Sequence, residues 1–355
     1  MNTLARKGDE LGVAVPWNME SNGCVACVAA LWFYAPTSGS AMTSNVQRRS
    51  KVQRLLARGV SSVRKILADQ GSAEEAVVAP STTVAPSATR LSDDLVAAEF
   101  SLLSHAANYD LSVQPERLRS HTDLVRLFNN LMGVVKPEVF IEAGAFWAEA
   151  SRAIKEHLPK TRVVAFEANP YNFELCGERI NFAKLGIEYV YSALSSKVGD
   201  VTFQVQRTKN GEELRKTTGR SSIYQRTDAD FTFESVTVPG TTLDTFFAKQ
   251  PKSSVLWVDV EGATELVLSG GSELLKSASM VFIEVEDKAL WDGQWVTRDV
   301  TEFFSRYNLV PVARDFESPS RVQYNMLFLK SNLRRNRHVW RYFSEFFSEA
   351  RFPKS

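Results

Sequence analysis

The stretch Glu138-Val-Phe-Ile-Glu-Ala-Gly144 decides the fold, because its apolar run predicts a short buried strand that a glycine follows at once. Glycine at that position permits a positive φ and lets the backbone approach a ligand closely. The next apolar run, residues 162–167, ends in an acidic residue 23 positions after Gly144. At about that distance, an acidic side chain is expected to accept hydrogen bonds from ribose hydroxyls. The spacing also fits an ordinary strand-to-helix turn with a surface carboxylate at Glu167, so both interpretations stay open.

Outward from this stretch, short apolar runs alternate with amphipathic stretches between residues 136 and 330, a pattern typical of βαβ units around a parallel sheet. The predicted strands are 138–143, 162–167, 187–193, 255–260, 280–286, 309–313 and 324–329. The predicted helices are 147–157, 171–184, 264–275 and 298–307, with a β-rich excursion at 201–206 and 231–238. We therefore predict an α/β fold, a Rossmann-like, seven-stranded, doubly wound sheet whose ligand lies outside the carboxyl ends of the strands.

Composition excludes several classes of protein. The 355 residues carry 42 Lys and Arg against 41 Asp and Glu, a net charge of +1, so no nucleic-acid partner is expected. Three cysteines are too few for a disulfide framework, and the pair Cys24 and Cys27 lacks the second pair that zinc would need. No apolar run reaches the roughly 18 residues of a transmembrane helix. We expect a soluble protein that is cytoplasmic by default.

The segment before the alternating region differs from it in composition. Residues 1–90 are rich in small residues and predict a disordered basic arm or linker. Seven basic side chains and no acidic one between residues 21 and 68 leave organelle targeting or secretion open. Residues 91–136 predict a helical cap, in which His105 and His121 are expected to be surface or packing residues.

The segment after the alternating region, residues 331–355, mixes arginines with aromatic side chains. Such a helix could contact a membrane surface or an acidic glycolipid-like acceptor. The favoured interpretation is a C-terminal helix that packs Trp340, Phe343 and Phe347 on the core of residues 137–330.

Carboxylates are the candidates for general-base chemistry, because no GxxxxGK[ST], HExxH or GxSxG motif is present. Asp259 lies at the end of the fourth predicted strand, and Glu261 lies two residues further on, where period-two alternation places both on one face. Neighbouring carboxylates raise one another's pKa toward that of a base. We predict Asp259 and Glu261 as catalytic residues, with helix capping or a ribose contact as the alternative for Asp259. Two carboxylates without a third ligand predict no metal site.

Further strings occur in a characteristic order along the chain. They are Val139-Phe-Ile-Glu-Ala-Gly-Ala145, Ala165-Phe-Glu-Ala-Asn-Pro170, Ser192-Ala-Leu-Ser195, Thr242-Leu-Asp244, Val258-Asp-Val-Glu-Gly262 and Val267-Leu-Ser-Gly270. Over residues 137–330 the chain resembles the FkbM-type family of S-adenosylmethionine-dependent methyltransferases, which act mostly on hydroxyl oxygens. The Asp-Val-Glu-Gly segment followed by Val-Leu-x-Gly is the most specific part of the resemblance.

The resemblance implies a class I methyltransferase fold, S-adenosylmethionine as cofactor, and a small-molecule, sugar or lipid acceptor. The cofactor-binding residues that it implies are Glu142, Gly144, Ala145, Glu167, Ala168, Asn169, Ser192, Ala193 and Asp259. The chain departs from the family's pattern at Glu142, which replaces Asp, and at Thr264, where the family usually has Glu. Phe146 stands where the family has Asn, and Ala148 stands where it has Gly.

Two further functions remain as alternatives to a methyltransferase. With an altered first loop, the chain could be a methyltransferase-like binding module without catalytic activity. A nicotinamide-dependent oxidoreductase is disfavoured because the first turn lacks GxGxxG. Neither the acceptor nor the oligomeric state is predicted.

Overall fold

The computed structural model describes residues 102, 105–227, 230–320 and 322–348. Its strands, in chain order, are β1 (Val139–Ala143), β2 (Arg162–Glu167), β3 (Ile187–Tyr191), β4 (Ala193–Leu194), β5 (Gly199–Lys209), β6 (Glu212–Glu213), β7 (Phe231–Thr241), β8 (Ser254–Val258), β9 (Ala278–Glu286), β10 (Leu309–Arg314) and β11 (Gln323–Lys330). Seven of them form one sheet in the order β10-β11-β9-β8-β1-β2-β3. Only β11 runs antiparallel to its neighbours in this sheet. The predicted seven-stranded, doubly wound sheet of the class I methyltransferase type is confirmed, and its strand order reverses between β1 and β8.

Helices cover both faces of the sheet. In chain order they are α1 (Gln114–Val135), α2 (Glu149–His157), α3 (Pro170–Arg179), α4 (Phe182–Leu185), α5 (Leu243–Phe246), α6 (Thr264–Ser269), α7 (Thr297–Ser305) and α8 (Arg337–Ser348). Short 3₁₀ turns lie at Ala106–Asn108, Leu274–Ser277 and Ser331–Arg335. The sequence explains where α3 begins, because the Asn169 side chain caps the Tyr171 amide and Pro170 is the first helical residue. The helix predicted at 264–275 ends at Ser269, since two glycines follow and glycine destabilises a helix interior.

The core lies on the two faces of the central strands, and all five residues of β1 are buried. On one face, Ile141 and Ala143 join an apolar cluster with residues of α5, α6 and α7. On the other face, Phe140 packs with residues of α1 and α2. Successive side chains of a strand alternate between faces, so Glu142 lies on the α1–α2 side with Phe140. This alternation decides what the Glu142 carboxylate can contact.

A second sheet, in the order β4-β7-β5-β6, accounts for the predicted β-rich excursion. The strand predicted at 187–193 is divided between the two sheets, because β3 ends at Tyr191 and β4 pairs with β7. Ser192 therefore lies at the junction of the sheets, beside the carboxyl ends of β2 and β3. The strand predicted at 255–260 ends at Val258, which places Asp259 in the loop after β8.

The C-terminal helix α8 packs on the core through a different set of side chains from the predicted one. Val339, Phe343 and Phe346 are buried, whereas Trp340 is 40% exposed. Spacings of four and three residues place the buried side chains on one helix face, and Trp340 lies off it. The prediction is therefore wrong for Trp340 and correct for Phe343.

The predicted N-terminal arm, residues 1–90, lies outside the described residues, as does much of the predicted cap before α1. Within the described part of the chain, none of the helices has the length and apolar character that crossing a bilayer requires.

Candidate functional site

A pocket opens at the carboxyl ends of β1, β2 and β3, next to the point where the strand order reverses. About 550 Å³ of free space lies within it, including the open solvent at its mouth. Predicted cofactor-binding residues that line this β1–β3 pocket are Gly144, Glu167, Ala168, Asn169, Ser192, Ala193 and Asp259. Glu142 and Ala145 were predicted with them but do not line the pocket. Seven of the nine predicted residues therefore lie together at one pocket, and their role in cofactor binding stays a prediction.

The far wall of the β1–β3 pocket comes from a region to which the sequence assigned no site residue. Phe203 on β5 and the loop residues Thr218, Gly219, Ser221 and Ile223 line it. The alternation of 201–206 revealed the strand, but no local pattern shows that the following loop folds back over the ends of β1–β3. Asn169 holds this loop, because its side-chain amide donates to the Lys216 carbonyl at 3.0 Å.

Gly144 forms the narrowest part of the strand-to-helix turn, where its φ is +80°. A Cβ built on Gly144 would lie 1.7 Å from the Asp259 carbonyl oxygen, so no other residue fits there without moving the backbone. The amides of Gly144 and Ala145 both donate to the Phe166 carbonyl, at 3.1 and 2.8 Å. The turn is thereby tied to β2 on one side and pressed against the loop after β8 on the other.

Glu167 lies buried at the end of β2 and organises the loops around the pocket. Its Oε2 accepts from the Phe146 amide at 2.7 Å, and its Oε1 accepts from the Asn169 amide at 2.8 Å and the Asn172 side chain at 3.3 Å. Burial raises the pKa of Glu167 to about 7, although these hydrogen bonds oppose the rise. Each carboxylate oxygen has about two acceptor sites, so Oε2 retains acceptor capacity toward a ligand in the pocket.

Glu142 serves a helix rather than the pocket. The residue before α2 is Ala148, which has no side chain that could cap the helix. The Glu142 carboxylate supplies the missing acceptor from β1, taking the Ser151 amide at 2.8 Å. Burial raises the pKa of Glu142 to about 7, with the charge of Asp259 as a smaller cause. The structure thus places Glu142 behind the turn, where it fixes the start of α2.

The loop between β1 and α2 holds two side chains in a backbone conformation that disfavours them. Phe146 has φ of +43° and Ala148 has φ of +51°. L-residues rarely adopt the left-handed region, which Gly and Asn tolerate best. These are the two positions at which the resemblance led us to expect Asn and Gly. The local backbone therefore follows the family's pattern while the side chains do not.

Asn172 supplies an unused acceptor to the β1–β3 pocket. Its side-chain nitrogen donates to Glu167 and to the Thr218 carbonyl, whereas its buried Oδ1 has no hydrogen-bond partner among the residues that the structure describes. A buried polar atom without a partner costs free energy, which a ligand that donates a hydrogen bond would recover. The glycine turn, the Glu167 carboxylate and this orphaned oxygen fit a ligand with several hydrogen-bond donors.

An acidic cleft, formed by Asp259, Glu261, Glu284 and Glu286, lies beside the pocket at the carboxyl ends of β8 and β9. One carboxylate oxygen from each of Asp259, Glu261 and Glu284 lies within 4.8 Å of the other two. Oε2 of Glu284 is buried, and within the described part of the chain it has no hydrogen-bond partner. Three oxygens would supply half of the octahedral set that Mg²⁺ demands, and we assign no metal to them.

Burial, and then the charges of neighbouring carboxylates, raise the pKa values of the acidic cleft. Asp259 is exposed at the cleft surface, but the protein around it limits its hydration and raises its pKa to about 6. Burial first, and then the charge of Asp259, raise the pKa of Glu261 to about 8 and that of Glu286 to about 7. The pKa of Glu284 rises well above its ordinary value for the same reasons. Groups that titrate near neutral pH are suited to taking up and releasing protons.

The tight turn after β8 keeps Glu261 in the acidic cleft. Glu261 has φ of +49° and Gly262 has φ of +82°. A Cβ on Gly262 would lie 2.3 Å from the indole of Trp291, so the ring packs directly on the glycine backbone. This turn therefore requires the glycine of the Asp-Val-Glu-Gly segment, whereas Glu261 holds a conformation that L-residues rarely adopt.

His121 on α1 is the site residue that sequence reasoning missed. Its Nδ1 lies 2.8 Å from Oδ2 of Asp315, which is fully buried, and 3.4 Å from Oε2 of Glu317. Burial lowers the pKa of His121, but the hydrogen bond to Asp315 and the charges of Asp315, Glu317 and Asp259 outweigh it, so the pKa is raised. The expected surface or packing role is met in part, because the side chain is 31% exposed and its ring packs edge to face on Phe282; its contact with the buried Asp315 beside the acidic cleft is the part that the sequence did not indicate.

Comparisons with known proteins find relatives of the region that holds this site. The sequence model described as the methyltransferase FkbM domain matches residues 133–310, which is half of the chain. Among curated proteins, the chain is similar to the 2-O-methyltransferase NoeI of Sinorhizobium fredii, with 24% identity over 210 residues that cover 55% of this chain and 83% of NoeI.

Alignments with solved structures have TM-scores below 0.5. The methyltransferase FkbM from Methylobacillus flagellatus KT aligns with a TM-score of 0.34 and 14% identity over 54% of this chain. The match spans 43% of that protein, less than half of its length. The magnesium protoporphyrin IX methyltransferase of Synechocystis PCC 6803, solved with bound S-adenosylmethionine, aligns with a TM-score of 0.35 and 9% identity over 71% of this chain and 100% of its own.

Proposed function

The chain belongs to the FkbM methyltransferase domain family, and on that premise we propose that it is an S-adenosylmethionine-dependent O-methyltransferase. The proposed reaction moves a methyl group to a hydroxyl oxygen of a small molecule, sugar or lipid. One observation carries the proposal, namely that Asp259 belongs both to the β1–β3 pocket and to the acidic cleft. A bound cofactor and an acceptor hydroxyl would therefore meet at a carboxylate.

The β1–β3 pocket supplies the contacts that S-adenosylmethionine needs. Glu167 would accept hydrogen bonds from the ribose hydroxyls, and the backbone of Gly144 and Ala145 leaves room for close approach of the cofactor. The orphaned Asn172 Oδ1 would accept a hydrogen bond from an amino group of the ligand. Ala168, Asn169, Ser192, Ala193 and Asp259 complete the proposed binding set, and Glu142 acts indirectly by holding α2.

The acidic cleft supplies the acceptor side. S-adenosylmethionine, when bound, would supply a methyl group on a sulfonium sulfur. The acceptor oxygen would attack the methyl carbon in line with the departing sulfur. Asp259 would take the hydroxyl proton as the carbon–oxygen bond forms and the carbon–sulfur bond breaks. Its pKa of about 6 leaves the carboxylate ionised at neutral pH and close enough to neutrality to act as a base. Glu261 would stabilise the proton on Asp259 or replace it as the base.

The choice of a hydroxyl acceptor rests on two supports. NoeI is named as a 2-O-methyltransferase, and a hydroxyl, unlike an amine, gains from a carboxylate that removes its proton in the transition state. Most of the rate enhancement would come from alignment of oxygen, methyl carbon and sulfur.

Calorimetric titration of the full chain with S-adenosylmethionine, S-adenosylhomocysteine and NAD⁺ tests the proposal. The first two are expected to bind and the third is not. Gly144→Ala is expected to abolish binding because its Cβ has no room, whereas Gly177→Ala on α3, with open space around it, serves as the matched control. Thermal melts show whether both variants are folded.

Transfer of label from methyl-labelled S-adenosylmethionine to a panel of hydroxyl compounds then separates an enzyme from a binding module. Cofactor binding without transfer to any compound would favour the binding module. Binding of NAD⁺ instead of S-adenosylmethionine would contradict the proposal.

A further inference from the structure

A buried carboxylate orients His121 over the acidic cleft. Asp315 follows β10 and has no exposed side-chain surface. Its Oδ1 accepts from the Asn325 amide at 3.0 Å, and its Oδ2 accepts from the Asn325 side chain at 2.8 Å and faces His121 Nδ1 at 2.8 Å. Because a carboxylate oxygen lies against it, Nδ1 carries a proton, and the ring orientation is fixed. Within the part of the chain that the structure describes, Nε2 has no hydrogen-bond partner.

Strand register connects this pair to the acidic cleft. Asn325 on β11 is paired with Glu284 on β9. The parallel pairing of Trp257 with Phe282, continued by two residues, sets Asp259 beside Glu284. The His121 ring meets the Phe282 ring edge to face, with centroids 6.5 Å apart. Asn325, Glu284 and Asp259 thus follow one another along the edge of the sheet, and His121 lies above them on the α1 side.

The charges around Asp259 are almost all negative. Glu284 and Glu261 lie within 4.8 Å of it, and its charge is felt at Glu286, Glu142, Glu167 and His121. Arg226 and Arg220 act on Glu261. Burial raises the pKa of Asp259, a hydrogen bond with Glu284 and the charge of His121 oppose the rise, and the charge of Glu317 adds to it. A positive charge nearby favours the ionised form of a carboxylate that lies among other carboxylates.

We propose that His121 is a positioning residue for Asp259: its imidazolium, held by Asp315, is the counter-charge that keeps the Asp259 carboxylate ionised in the acidic cleft. The role of Asp259 in catalysis rests on the proposed function, but the electrostatic pairing does not. His121 acts through Asp259, and Asp315 acts through His121. Loss of the His121 charge should make Asp259 easier to protonate.

The direct test is an NMR titration of the full chain labelled with ¹³C at the aspartate carboxyls, in EDTA so that no cation replaces the imidazolium. The Asp259 signal is identified as the one missing from Asp259→Asn. In His121→Gln, which removes the positive charge and keeps Asp315, its midpoint is expected to move up by about one pH unit. His338→Gln, which removes an exposed histidine on α8, is the matched control and should leave it in place. An unchanged midpoint in folded His121→Gln would overturn the proposal.

A measurement on the wild-type chain keeps the proposal testable even where a variant does not fold. ¹⁵N spectra of labelled histidine should show His121 protonated at both ring nitrogens at pH 6.5. A neutral ring at that pH would contradict the proposal without any substitution.

Kinetics add a measurement that would not change if His121 had only a structural role. The acid limb of kcat/KM against pH should shift to higher pH in His121→Gln, with S-adenosylmethionine affinity unchanged. Absence of methyl transfer in the wild type would count against the proposed function, whereas the NMR midpoints would still decide the role of His121. The two failures are therefore distinguishable.

Discussion

The β1–β3 pocket and the acidic cleft occupy the same edge of one sheet, and carboxylates are central to both, yet they are used differently. On the pocket side, Glu167 in the pocket and Glu142 behind it accept backbone amides of the loops that follow β2 and β1. In the cleft, the carboxylates lie close to one another, and Oε2 of Glu284 has no hydrogen-bond partner among the described residues. Carboxylates that accept backbone amides hold a loop in place. Carboxylates left without donors remain available for proton transfer.

The largest expected effect comes from removing the charge at the boundary between the two regions. Asp259→Asn should bind S-adenosylmethionine nearly as the wild type does, while turnover falls by a factor on the order of 10²–10⁴, because the base is lost and the pocket is kept. Steady-state kinetics and calorimetry on the same preparation measure both quantities. Asp200→Asn, an exposed position on β5, should change neither. Normal turnover would move the base to Glu261 or Glu284, and loss of cofactor binding would make Asp259 a binding residue.

A smaller but still large effect is expected on the pocket side. Glu167→Ala removes the acceptor of two backbone amides together with the proposed ribose contact, and should weaken S-adenosylmethionine binding by about 2–3 kcal/mol, on the order of 30- to 150-fold. Calorimetric titration measures the change. Glu174→Ala, an exposed carboxylate on α3, is the control. Unchanged affinity in folded Glu167→Ala would show that the carboxylate has only a structural role.

The third prediction concerns pH and the crowding in the acidic cleft. Glu261 has a pKa of about 8 in the folded chain, above its ordinary 4.5, so the folded state binds the proton more tightly than the unfolded state. Its contribution to stability is complete below about pH 4.5 and is lost as pH rises through 8. The free energy of unfolding should therefore fall between about pH 5 and pH 8, and Glu261→Gln should flatten that fall. Denaturant titrations at several pH values measure this fall. A wild-type free energy of unfolding that does not change over this range would contradict the raised pKa of Glu261.

The smallest effect is expected in the strained first loop. Ala148→Gly should raise the free energy of unfolding by about 0.5–1 kcal/mol, because relief of a left-handed alanine exceeds the entropy cost of glycine. Ala150→Gly, two residues further on and inside α2, should instead lower it by about 0.5–1 kcal/mol. Denaturant midpoints compare the two. Equal losses in both variants would mean that the conformation of Ala148 carries no strain.

The sequence predicted the parts of this site that depend on local pattern. Gly144 and Glu167 follow apolar runs at a spacing that belongs to one βαβ unit, so their place at the edge of the sheet was visible. The contact of Glu142 with Ser151 was not predicted, although the absence of a polar residue at Ala148 was a usable signal that α2 needed a cap from elsewhere. His121 and Asp315 lie 194 residues apart, and only the folding of β10 and β11 onto α1 brings them together.

We propose that the cofactor binds in the β1–β3 pocket and reaches the acidic cleft through Asp259. Hydrogen–deuterium exchange with and without S-adenosylmethionine, read by mass spectrometry, tests it most directly. Exchange should slow in peptides that contain 144–148, 167–172, 192–194 and 218–223. Exchange should stay unchanged around a second cavity, the α1–α8 cavity. This cavity lies between α1 and α8 and is lined by Arg126, Asn130 and Tyr342 among others. Protection of the α1–α8 cavity with none at the β1–β3 pocket would contradict the account.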